Sequence, residues 1–225
     1  LIDVYRTDGA GQEGASYLAT DTYAAAVAQT ARTVTLAVSG LSVNQRIVAT
    51  ATDALGNTSE FSASVVVASS LLAPTEVQRE STSATLDAAE LGPLVWQAIA
   101  AWESAGLDAV HVAALRSLSF DIQDLPGRYV GLATPDRIVL DLNAAGYGWY
   151  VEGQSGTWTP ESEIADWESR IDLLTAVLHE MGHVVGLADE FGQEALMADQ
   201  LQPGIRRLPT SEDLDKVFAR GDSFA

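Results

Sequence analysis

Apolar and polar positions alternate with period two through most of the first seventy residues, and Gly, Asp and Asn clusters punctuate them. The pattern predicts strands over Ile2–Tyr5, Ser16–Thr22, Thr33–Val38, Arg46–Thr52 and Ser59–Val67, with Asp53–Asn57 turning the chain between the last two. Residues 1–70 therefore read as an all-β, Ig-like or sandwich-like module. Neither a cluster of histidines nor a phosphate-cradling glycine loop falls in it, so its expected role is scaffold or spacer.

After Ala68 the period lapses into a Ser, Thr, Glu and Pro mixture, and residues 71–83 read as a linker to a second domain at 84–225. There the period changes to that of a helix. Leu91, Leu94, Val95, Ala98, Ile99 and Trp102 form one apolar stripe, with Pro93 in the first turn and Gly106 ending it. Asp108–Leu118 reads as a short second helix carrying His111. Ser119–Ile122, Tyr129–Ala133 and Arg137–Leu142 read as strands separated by Pro-Gly and Pro-Asp turns. No strand is evident before the long helix.

Gly146–Trp167 is a long Gly- and Trp-bearing connection with two readings. Either it forms the rim of a cleft, where an extended peptide adds a strand and stacks on Trp149 or Trp158, or its aromatics fix a surface loop to the core. A helix capped near Ser169, with Asp172 three residues on, then buries Leu173, Leu174, Val177, Leu178, Met181 and Val185. A final helix from Thr210 or Ser211 turns Leu214, Val217 and Phe218 inwards.

The chemistry concentrates in Thr175–Met197, TAVLHEMGHVVGLADEFGQEALM. His179 and His183 are four apart, so both imidazoles leave one helix face and can share a metal, with Glu180 between them. Gly186 lets the helix stop and the chain double back, bringing Asp189 towards the pair as a third ligand. Glu190 is the neighbouring alternative, and His111 the rival from elsewhere in the chain. Eight residues past Asp189, Met197 sits where a tight turn could place it beneath the metal.

Read as HExGHxxGLxD followed by ALM, the stretch resembles the metzincin zinc metalloproteases, most closely the matrixin branch. Most matrixins carry His where this chain has Asp189; aspartate there is similar to the snapalysin-type enzymes. The resemblance implies an α+β zincin-like domain, a small twisted sheet with an active-site helix, following the β module. It implies a zinc endopeptidase in which a Zn²⁺-activated water attacks the peptide bond and Glu180 is general base and acid. Met197 becomes the Met-turn, and Leu201, Pro203 and Ile205 an apolar floor to the substrate pocket. Asp199 stands where some metzincins have a tyrosine.

Composition narrows the partners. With 225 residues and 47% hydrophobic content the chain can bury a core, and its formal charge of −19 with a single lysine, Lys216, disfavours nucleic acid. The acidity is compatible with bound Ca²⁺ and with keeping a secreted protein soluble. Cysteine is absent, which excludes disulfides, thiolate metal clusters and a thiol nucleophile. No apolar run is long enough to insert in a membrane. The phrase ATATDALGNTSEFS resembles segments of modules in large bacterial surface proteins, which implies a fragment of an extracellular or cell-surface protein. Its oligomeric state is left open. Two other classes stand beside the peptidase, namely a surface binding module that keeps the fold without turnover, and a spacer with incidental histidines.

Overall fold

The computed structural model describes residues 1–8, 13–22, 41, 43, 45–75, 85–152, 167–190 and 195–221. The strand expected over Thr33–Val38, and Trp158, lie outside them. The chain divides into two units, Leu1–Ala68 and Ser69–Ala225.

In the first unit, β1 (Ile2–Thr7), β2 (Gly14–Asp21), β3 (Arg46–Ala51) and β4 (Val65–Val66) form one antiparallel sheet in the order β2-β1-β3-β4. A second sheet facing it is not present among the described residues. The strand predicted over Ser59–Val67 shortens to β4 for a local reason. Ser59 and Ser62 turn their hydroxyls to accept from the β3 amides of Ala51 (2.9 Å) and Ala49 (3.0 Å), taking the place of ladder carbonyls. The predicted turn forms as expected, with the Asp53 carboxylate accepting from the amides of Leu55 and Asn57.

The second unit opens with β5 (Ser69–Leu72), the strand that precedes the long helix and that the sequence does not reveal. The residues read as the start of a linker are therefore part of a sheet. β6 (Ser119–Gln123), β7 (Tyr129–Thr134) and β8 (Arg137–Asp141) complete it in the order β5-β7-β8-β6, antiparallel except for β8 with β6. Before them come α1 (Ala88–Ala105) and α2 (Ala109–Arg116). A capping box of Asp87 and Glu90 starts α1, so Pro93 lies inside the helix, past its first turn. Gly106, at φ 112°, ends it in the left-handed conformation that glycine adopts without a Cβ clash.

β9 (Trp149–Tyr150) pairs in parallel with β10 (Ile171–Asp172), and β10 leads directly into α3 (Leu173–Val184). The cap of α3 is Asp172 and not Ser169, because Ser169 ends a preceding helical turn and Ile171–Asp172 are held extended by β9 before α3 begins. The Asp172 carboxylate accepts from the Thr175 amide at 3.1 Å and its hydroxyl at 2.6 Å. Arg206 donates to both oxygens of the same carboxylate, at 2.9 and 3.2 Å, and ties the returning chain to the start of α3. The last helix, α4 (Ser211–Gly221), buries Leu214 and Val217, while Phe218 is 40% exposed instead of turned inwards.

From Leu173 to His183 every residue of α3 is buried, packed against β7, β5 and α1. Fully burying one leucine contributes about 1.5–3 kcal/mol, so this helix is a core element on which side chains are held in fixed places.

Candidate metal centre

Helical spacing brings His179 and His183 together with their Nε2 atoms 2.9 Å apart. The helix stops at Val184, Gly186 turns at φ 99°, and Asp189 comes back to the pair. Its Oδ1 lies 3.4 Å from His179 Nε2 and 3.1 Å from His183 Nε2. Ligand atoms about 2.0 Å from a tetrahedral ion stand about 3.3 Å from one another, and this triangle has that size. Among the described residues this is the one His/Cys/Asp/Glu group close enough to hold an ion.

The far side of each ring decides what the near side offers. His179 Nδ1 donates to the Leu196 carbonyl and His183 Nδ1 to the Leu187 carbonyl, both at 3.0 Å. Each bond fixes the tautomer that leaves Nε2 as an acceptor, as in histidines that bind metal. Two imidazole lone pairs and a carboxylate oxygen thus converge, an arrangement that repels itself unless a cation or proton lies among them.

The charges match that reading. Burial pushes the His179 imidazole below its ordinary value, against a hydrogen bond that the charged ring donates to Asp189. Burial works to raise the Asp189 carboxyl, but the hydrogen bonds that His179 and His183 donate once protonated at Nε2 outweigh it and hold the group well below the usual carboxylate range, as a cation among the three would. Neutral imidazole and ionised carboxylate are the forms in which these groups bind metal.

Met197 is wholly buried under α3. A Cβ placed on Gly182 would come within 2.5 Å of its sulfur, so the glycine between the two histidines leaves the room that the methionine fills. The turn is closed by the Ala198 amide donating to Ala195, and the Glu190 amide donates to the Met197 carbonyl at 2.7 Å. Leu196, next to it, supplies the carbonyl that orients His179.

Glu180 points elsewhere. It is fully buried against β7, where a Cβ on Gly131 would collide with its Oε1, and neither carboxylate oxygen has a hydrogen-bond partner among the described residues. Burial pushes its carboxyl well above the ordinary range and the charge on Asp189 adds to this; the Leu71 backbone opposes the shift without making a well-formed hydrogen bond.

The other expected residues separate from this group. His111 donates through Nδ1, at 3.0 Å, to the Asp108 carboxylate that caps α2, and its ring meets Phe218 edge-on. Glu190 pairs with Lys216 at 2.6 Å. Trp149 is buried and donates to the Asp141 carbonyl, so it packs the core and offers no face to a peptide. Leu201 is core and hydrogen-bonded to Leu72, Pro203 half-buried and Ile205 exposed. Beside Asp189 there is a cleft of about 380 Å³ lined by Leu187, Ala188, Glu190, Lys216 and Ala219.

Gly131, Leu71 and the carbonyls of Leu187 and Leu196 escape sequence reasoning. A glycine in a strand carries a faint signal of close approach, whereas a backbone carbonyl carries none. Compared with protein-family models, curated proteins and solved structures, the chain matches none of them.

Proposed function

We propose that this chain is a zinc-dependent endopeptidase of metzincin type, acting on protein or peptide substrates outside the cell as part of a larger bacterial protein. The observation that carries the reading is the convergence of His179, His183 and Asp189, with both Nδ1 atoms anchored to carbonyls. The donor set of two nitrogens and one carboxylate oxygen suits Zn²⁺ and leaves a fourth position. When bound, the ion supplies a Lewis acid and an acidified water.

In this reading Glu180 takes the proton released as water adds to the peptide carbonyl and passes it to the nitrogen as the C–N bond breaks. Its raised affinity for a proton suits both transfers. Asp189 keeps its negative charge, and the two histidines are oriented by their carbonyl acceptors. Met197 fills the space under the helix and moves no proton.

One observation favours a second reading, a binding module that keeps the fold without turnover: Glu180 is sealed from solvent. Zinc titration and hydrolysis of casein distinguish the two. The peptidase binds one zinc per chain and cleaves casein, and Glu180→Ala keeps the zinc while losing the cleavage. Zinc binding with equal absence of cleavage in parent and variant would leave the binding module.

A further inference from the structure

The strand β5 lies between two parts of the candidate site. On one side it pairs with β7, Ser69 opposite Ala133, Ser70 opposite Leu132 and Leu71 opposite Gly131, the glycine that faces Glu180. On the other it runs parallel to the chain just after Met197. There the Leu72 amide donates to Asp199 at 3.1 Å and the Leu72 carbonyl accepts from Leu201 at 2.9 Å. Ser69 and Leu71 are buried and Ser70 and Leu72 are half-buried, the alternation of an extended segment seated in a groove. Backbone bonding on both flanks is how grooves hold extended peptides.

The same strand helps to close Glu180 off. A base must lie within hydrogen-bond reach of the water it deprotonates, yet both oxygens of Glu180 are buried without a partner among the described residues. Burying a carboxylate in this way is costly, and an apolar residue would fill the place more favourably. β7 and β8 form a hairpin, and β6 extends their sheet, without any help from β5. β5 is also where the second unit begins.

We infer that the channel between β7 and Asp199–Leu201 is a peptide-binding groove, and that Ser69–Leu72 is its resident occupant, a segment of the chain's own that must leave before the site can work. The inference rests on the reading of Glu180 as the base. A peptide that replaces β5 is extended, with a small residue at the place of Ser69 and an apolar one at the place of Leu71.

The test uses the full zinc-loaded chain. Carbodiimide labelling of Glu180, read by mass spectrometry, is slow in the parent and about tenfold or more faster in Leu71→Gly and in Leu72→Pro, which loses the amide bonded to Asp199. A synthetic peptide of Ser69–Thr75 restores the protection. In the unmodified chain, the amides of Ser70–Leu72 exchange with deuterium faster than those of β8, as expected of a strand that leaves before the rest opens. Unchanged labelling in both variants, or exchange of β5 only together with β8, overturns the inference. Hydrolysis of an unstructured peptide rises in step with labelling. Labelling that rises with no hydrolysis in any form supports the occupant while removing the peptidase.

Discussion

Two helices of the second unit each set an imidazole beside a carboxylate, and they do different things with the pair. In α2, His111 faces Asp108 three residues earlier, at 3.0 Å, with the ring half-buried and the carboxylate exposed. This is a helix cap with a neighbour. In α3, His179 and His183 meet Asp189 from beyond the helix end, with both rings buried and the second nitrogen of each held by a carbonyl. The contrast shows that a histidine next to an acid says little about metal. What counts is the partner of the other nitrogen and whether a second ring shares the same acid.

The largest effect should come from breaking the α3 group. His183→Ala is expected to lower zinc affinity on the order of 10²–10³-fold, one ligand's share of the roughly 10–16 kcal/mol of a four-ligand site, while His111→Ala leaves it unchanged. Competition with a chromogenic chelator measures both. Asp189→Ala should follow, about 10–100-fold weaker, and Glu190→Ala should stay near the parent, since Glu190 is turned to Lys216.

Smaller effects sharpen the contrast between the two acids of the site, one open to solvent and one sealed. A carboxyl whose folded affinity for protons is raised contributes fully below its unfolded value and loses that contribution as pH rises. For Glu180 the loss begins near 4.5 and continues upwards. Metal-free Glu180→Gln should therefore be more stable than the parent at pH 7, by about 1–3 kcal/mol, with the gap closing below pH 4.5. Thermal melts with chelator across that range check the sign. The smallest effect belongs to α2. Asp108→Ala should cost about 1 kcal/mol of stability by removing acceptors from the Val110 and His111 amides, with zinc affinity untouched.

Much of the architecture follows from local pattern. The period-two runs place β1, β2, β3, β6, β7 and β8 to within about two residues, and the 3.6-residue stripes place α1 and α3, because side-chain periodicity is set by backbone geometry alone. The strand β5 escapes because Ser69–Leu72 is a short mixed segment that becomes a strand only by pairing with β7 across some sixty residues of chain. Phe218 is misplaced for a related reason, since the helical stripe gives a face without saying how far the core extends along it.

The sequence by itself determines that two imidazoles share a helix face, that a glycine ends that helix, and that an acid and a methionine follow at short spacing, since each depends only on covalent spacing and local conformation. Tertiary structure alone decides which acid meets the rings, which carbonyls set their tautomers, and that Glu180 lies against Gly131 and β5. Those outcomes turn on backbone groups and on packing between distant segments, and neither is written in the identity of any single residue.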